Sequence, residues 1–183
     1  MKKLLIILLV TNFLYSCKKE QDPFLISKQN IGFLTDSTQV KDLKTVFPND
    51  SIHRYIGGDE FTGSINDINI LQNTGELLLV LTPTQALDSS ATINNVRVID
   101  SRFKTETGLN AVSTFKDIKD NYQISNIQNT LKNIVISLDN ENFYLTIDKK
   151  ELPSEMRYDM NLKIEEIHIP DNAKIKYFMI DWN

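Results

Sequence analysis

Cysteine occurs once in the 183 residues, at position 17, and that single placement constrains how the remainder can fold. One thiol allows no intramolecular disulfide and no cysteine-rich metal site, so the body must hold together by apolar burial. The residues ahead of Cys17 do not belong to that body. Lys2 and Lys3 form a short basic head, and Leu4 to Val10 is an unbroken apolar run. A permanent membrane-spanning helix needs roughly 20 apolar residues, and this run is far shorter. With small Ser16 just before Cys17, residues 1–16 read as a secretory signal peptide that is cleaved.

Leu14-Tyr15-Ser16-Cys17 resembles the lipobox of bacterial lipoproteins. The resemblance implies that Cys17 is the lipid attachment site, taking a diacylglyceryl group and becoming the first residue of the mature chain. Two or three acyl chains make a stable anchor where one is marginal, so the membrane is the first expected partner. Residues 17–23 are then the lipidated cysteine and a polar tether. The tether Lys18 to Pro23, KKEQDP, is similar to the lysine and acidic tracts of surface-exposed lipoproteins, and no aspartate directly follows Cys17. The expected location is the cell envelope, as an outer membrane lipoprotein on its periplasmic or surface face.

Residues 24–183 have the length of one domain. A hydrophobic fraction of 41% and a charged fraction of 24% are those of an ordinary globular protein with a core. The formal charge is -4, and losing Lys2 and Lys3 with the signal takes it to -6. No nucleic-acid footprint is expected from that balance.

The pattern along the body predicts an α+β domain of antiparallel sheet with short amphipathic helices. Phe24 to Phe33 alternates in part and is closed by Gly32, giving an extended opening segment. Ser37 or Thr38 is placed to cap a helix whose apolar face is Val40, Leu43, Val46 and Phe47, ended by Pro48 and Asn49. Strands follow at Ser51 to Ile56, Ile65 to Leu71, Glu76 to Thr82 and Ile93 to Ile99. Gln72 to Gly75 makes a hairpin of the middle pair, and Pro83 to Thr92 is a loop. Further on, Thr130 to Leu138 and Asn142 to Ile147 form a second hairpin. Lys149 to Tyr158 reads as a loop with a helical turn, and Leu162 to Ile169 as a short strand or an irregular packed segment. Ile175 to Trp182 is an apolar closing strand.

The body also repeats itself. Gly32 to Ser37-Thr38 has the glycine to Ser-Thr spacing of Gly108 to Ser113-Thr114. After a one-residue adjustment, Val40-Lys-Asp-Leu-Lys44 matches Phe115-Lys-Asp-Ile-Lys119, and Phe47 falls near Tyr122. Both copies predict a glycine turn, a capped helix of about three turns and a strand-rich continuation, so two related helix-plus-sheet halves are expected at about 24–100 and 101–183. The layout resembles the small exported α+β domains of envelope lipoproteins and of proteins like the beta-lactamase inhibitor protein and BamE. That resemblance implies a helix packed on an antiparallel sheet and no particular activity.

Gly57-Gly58-Asp59-Glu60-Phe61 spells the signature of diguanylate cyclases. In that family the glycines admit GTP and an acidic residue holds metal. Here only about forty mature residues precede it, without the family's upstream metal and phosphate motifs. Ile56 displaces Arg54-Tyr55 from the motif, and the signal exports the chain away from GTP. A glycine turn beside acidic residues accounts for the five letters, and a cyclase-like chain is the remote alternative.

No catalytic, cofactor-binding or metal-ligating residue is singled out. His53 and His168 are isolated and expected at the rim. Ser37, Thr38, Ser113 and Thr114 are caps before they are nucleophiles, and Asp139 to Asn142 lacks the spacing of a calcium loop. Tyr144, Tyr177, Phe178 and Trp182 are candidates to line a binding cleft, but on strands this apolar they are expected in the core. The sequence therefore points to a non-catalytic binding or interaction module with an envelope protein or small ligand as partner. An envelope hydrolase or small-ligand carrier with a spatially assembled site is the alternative.

Overall fold

The computed structural model describes residues 21–57 and 65–182. The signal peptide, Cys17 and most of the GGDEF letters lie outside these residues. Alternating apolar residues and tight turns give a mainly antiparallel β architecture with few, short helices. A two-stranded hairpin, β1 (Asn30–Ile31) and β2 (Leu34–Thr35), opens the domain. A 3-10 turn, Val40–Asp42, runs into α1 (Leu43–Val46). Then come β3 (Ser51–Gly57), β4 (Ile65–Leu71), β5 (Leu77–Pro83) and β6 (Ile93–Val98). The second half holds α2 (Phe115–Asn121), β7 (Ile124–Asn129), β8 (Asn133–Leu138), β9 (Phe143–Asp148) and β10 (Ile175–Asp181).

One eight-stranded sheet, ordered β3-β4-β5-β6-β10-β9-β8-β7, contains all the long strands. Counted outward from the seam between β6 and β10, the order is the same on both sides. Phe178 pairs with Val98 and Ile180 with Val96 across that seam. Period-two alternation sends Ile68, Ile70, Leu79, Leu81, Val96, Val98, Ile136, Leu145, Phe178 and Ile180 to one face. They join Leu43, Phe115 and Ile118 of the helices in a single core cluster. The last strand thus lies at the centre of the sheet.

The two halves share hydrogen bonds at fixed offsets. Thr38 N–H donates to Thr35 O at 3.0 Å, as Ser113 N–H does to Asn110 O at 3.2 Å. Val40 N–H reaches Ala91 O at 2.9 Å, as Phe115 N–H reaches Ala173 O at 2.8 Å. Lys41 to Ser89 and Lys116 to Asp171 are both 2.9 Å. The isolated bridges Gln39 to Thr92 and Thr114 to Lys174 correspond in the same way.

Three expectations are corrected. The expected register matched Ser37-Thr38 with Ser113-Thr114; the hydrogen bonds instead match Thr38 with Ser113 and Gln39 with Thr114. The turn between paired Lys104 and Asn110 holds one residue more than that between paired Asn30 and Thr35. Thr38 is not a cap: its Oγ1 accepts from Thr35 N–H at 3.0 Å, as Ser113 Oγ accepts from Asn110 N–H at 3.2 Å. The helices are also shorter than three turns. α1 spans four residues before Pro48, and α2 spans seven before Tyr122 turns to extended backbone.

Outside these elements, Lys149 to Tyr158 contains 3-10 turns at Lys149–Glu151 and Ser154–Met156. The ambiguous segment from Leu162 is irregular, with a 3-10 turn at Glu166–His168. It still buries Ile164 and Ile169.

Candidate functional site

Among the described residues, an apolar cleft of about 680 Å³ opens at the outer corner of the first half, lined by Phe24, Phe33, Val46, Phe47, Leu78 and Phe103. That volume falls within the roughly 300–1,000 Å³ of small-ligand sites. Each wall has a sequence cause. Val46 and Phe47 are the end of the amphipathic face of α1, where Pro48 stops the helix. Leu78 is the second residue of the most apolar strand, β5. Phe103 follows β6 and meets Phe24 edge to face at 5.1 Å between ring centroids. Gly32 lets the opening segment close over this corner. Its φ is +57°, and a Cβ there would stand 2.0 Å from the Pro23 carbonyl oxygen, so no other residue fits.

Arg102 stands at the mouth. Its Nε donates to Asp100 Oδ1 at 3.0 Å and its Nη2 to Asp100 Oδ2 at 2.7 Å, a bidentate pair. Nη2 also donates to Gln72 Oε1 at 2.8 Å, and the guanidinium sits 4.8 Å over the Phe24 ring. The hydrogen bond from Arg102 holds the Asp100 carboxyl below the usual carboxylate range, and Asp100 raises Arg102 in turn. Asp100 and Arg102 neutralise one another, and Asp50 adds a further carboxylate to the lining. The cleft can sequester an apolar group, and the ion pair at its rim is positioned as structure.

The opposite corner, in the second half, is built differently. There Tyr122 Oη, Thr105 Oγ1 and Thr107 Oγ1 are joined in a closed triangle at 2.7, 2.7 and 3.0 Å. Tyr122 also packs edge to face on Phe143 at 5.5 Å. This smaller hollow, about 280 Å³, is polar at its rim.

The residues weighed from the sequence are scattered. His53 is exposed on β3. His168 Nδ1 accepts the Glu165 backbone N–H at 3.0 Å, fixing a 3-10 turn. Thr114 forms a capping box with Asp117, whose Oδ2 accepts the Thr114 backbone N–H at 2.7 Å, while Ser37 is exposed. The expectation that four aromatics fill the core holds for Phe178, which is fully buried. Trp182 packs at the core's edge and donates its Nε1–H to Lys28 O at 3.1 Å. Tyr144 and Tyr177 do not follow it. They pair with Met179 and Thr146, which places them on the other sheet face, and Tyr177 is exposed. A one-residue step along a strand reverses the face. Among the described residues there is no group of three or more His, Cys, Asp or Glu able to hold a metal. No described helix is long and apolar enough to cross a membrane.

Arg102, Phe103 and Phe33 were not singled out in the sequence. The signal available was the run Asp100-Ser-Arg-Phe103 directly after a strand, but only the fold brings it against Phe24 and Phe47.

No family model and no curated protein matches the chain. Among solved structures, the chain is similar to the uncharacterized protein yfeY from Escherichia coli. The TM-score is 0.58 at 15% sequence identity, covering 85% of this chain and 98% of that one, a likeness of fold.

Proposed function

We propose that this chain is a lipid-anchored protein of the cell envelope whose domain is a non-catalytic binding module, taking an apolar ligand or the apolar group of an envelope partner. The observation that carries the reading is the cleft between Phe24, Phe33, Val46, Phe47 and Phe103. It is large enough for a small ligand, and its charged neighbours Asp100 and Arg102 are already committed to each other. Catalysis needs groups arranged to take or give a proton or electrons, and this corner supplies mainly apolar surface with the single carboxylate of Asp50 in its lining. The anchor part of the proposal rests on the lipobox at Cys17 and the tether that follows it. We read the shared hydrogen bonds of the two halves as the mark of an internal duplication, one copy of which keeps an open corner.

Two measurements test this. Cys17→Ala should release the protein from membranes and block acyl labelling; unchanged fractionation would refute the anchor. For the cleft, an apolar fluorescent dye such as anilinonaphthalene sulfonate should bind the full chain saturably at one site. Phe33→Ser, on an exposed ring, should weaken binding at least fivefold while the melting temperature stays put. Dye binding unchanged by Phe33→Ser, or an ester-cleaving activity abolished by it, would sink the non-catalytic cleft.

A further inference from the structure

The face of the sheet turned away from the helices carries a second hollow, about 310 Å³, lined by Asp67, Val80, Thr82, Asn95, Arg97, Tyr177 and Met179. It straddles the seam between β6 and β10, at the middle of the sheet. The pairings place these side chains together. Arg97 lies opposite Met179 on one side and Val80 on the other, while Asn95 lies opposite Thr82. Val80 is buried here yet is not part of the core cluster, so it forms an apolar floor on this face.

At the centre is Arg97. Its guanidinium carbon stands 5.6 Å from the Tyr177 ring centroid, which holds the plane of the group. Its Nε is buried and has no hydrogen-bond partner. Arg97 as a residue is half-buried, but a buried donor atom without an acceptor is costly, and such a group calls for an explanation. The fork of Nε and Nη matches a carboxylate in two parallel hydrogen bonds. Across the hollow, Asp67 accepts from Thr82 Oγ1 at 2.9 Å, and its charge opposes a second negative group on the ligand.

We propose that this hollow is a binding site for a small monocarboxylate bearing a short apolar group, the carboxylate on Arg97 and the apolar part on Val80 and Met179. The hollow is at the small end of ligand sites, which favours a free small molecule over a protein segment. Nothing in this site depends on the apolar cleft, which lies at the corner of the helix-covered face.

The test is a titration of the full chain, labelled with nitrogen-15, following the Arg97 Nε–H resonance. Isovalerate should give a saturable shift, acetate a binding at least threefold weaker, and chloride at equal ionic strength no saturable shift. Arg97→Lys keeps the charge and loses the fork, and should weaken isovalerate at least tenfold, followed through the Tyr177 ring resonances. Asp67→Asn should let malonate bind as well as isovalerate. Equal response to chloride and isovalerate, or unchanged affinity in Arg97→Lys, would overturn the assignment. Because Arg97 faces away from the core, a folded Arg97→Lys protein is expected, and its amide spectrum checks that.

Discussion

The two halves share a backbone frame and differ at their outer corners. In each, a hydroxyl residue closes a turn, the next residue bridges to the strand at the seam, and a helix delivers an aromatic ring at its end. In the first half that ring is Phe47, which lines an open apolar cleft. In the second it is Tyr122, whose hydroxyl is tied to Thr105 and Thr107. One oxygen atom and two threonines separate a corner narrowed by hydrogen bonds to a hollow of about 280 Å³ from an apolar cleft of about 680 Å³. The helices differ in the same sense. α2 has the Thr114 to Asp117 capping box, whereas Gln39, at the matching position, has none. The lesson is that the frame fixes where a corner lies, and a few polar atoms decide whether it is filled from within.

The strongest challenge to this comparison is removal of what the halves share. Ending the chain at Lys174 deletes β10, which buries Ile175, Phe178 and Ile180 and pairs with both β6 and β9. Each buried side chain is worth about 1.5–3 kcal/mol, and with both ladders lost the total approaches the ~5–15 kcal/mol stability of a whole domain. No cooperative urea transition should remain. A first half that still unfolded cooperatively would mean that the halves are independent.

A smaller effect should separate the helices. Phe115 and Val40 occupy matching positions and both are buried. Phe115→Ala should cost about 3–5 kcal/mol by the cavity it leaves. Val40→Ala removes far less volume and should cost ~2 kcal/mol, both read from urea midpoints. Equal losses would mean that the first half repacks less readily than its open corner suggests.

Capping should give about 1 kcal/mol. Thr114→Ala removes the capping-box hydroxyl, which donates to Asp117 Oδ2 at 3.0 Å, and is expected to lose ~0.5–2 kcal/mol, whereas Gln39→Ala should be near neutral. Tyr122→Phe converts the closed corner toward the open one and should lose about 1 kcal/mol of hydrogen bonding. It should also let the apolar dye bind at the second corner, a gain that a purely structural change would not produce.

The smallest effect is on pH. Asp100 in the first half is held below the ordinary carboxylate range by its hydrogen bond from Arg102, and Asp148 in the second half by that from Lys176. A carboxyl depressed in the folded state adds stability above its unfolded pKa, and that stability disappears as the pH falls through the folded value. Asp100→Asn and Asp148→Asn should each flatten the acid side of the stability curve by less than about 1 kcal/mol. Denaturant midpoints measured between about pH 6 and about pH 2 would show it. A larger drop for Asp100→Asn would mark the cleft's ion pair as a structural clasp.

Much of the frame was legible in the chain because strand and turn signals are local. Ile65 to Leu71, Glu76 to Thr82 and Asn142 to Ile147 alternate or run apolar between turn residues, and each lies in a strand. The repeat was visible through Val40 to Lys44 and Phe115 to Lys119, since the spacing of a helix face survives substitution. The helix register, Val40 with Phe115, was right, and only the Ser-Thr pairing was off by one, because nothing local marks where the extra residue before Asn110 is inserted. The aromatic pair Tyr144 and Tyr177 was misplaced for a related reason. In a strand, one residue decides the face, and only the pairing with Thr146 and Met179 settles which.

The sequence by itself determined most of the strands, the turns and the absence of covalent staples, because each follows from side-chain period, backbone freedom or a single cysteine; the polar edge strand β7, Ile124–Asn129, has no such signal and was missed. Tertiary structure alone decided that the last strand joins the halves, that Arg102 and Phe103 meet Phe24, and that Arg97 stands half-buried beside Tyr177. These are contacts between segments far apart in the chain. Their energy comes from burial shared across the sheet, which no local pattern encodes.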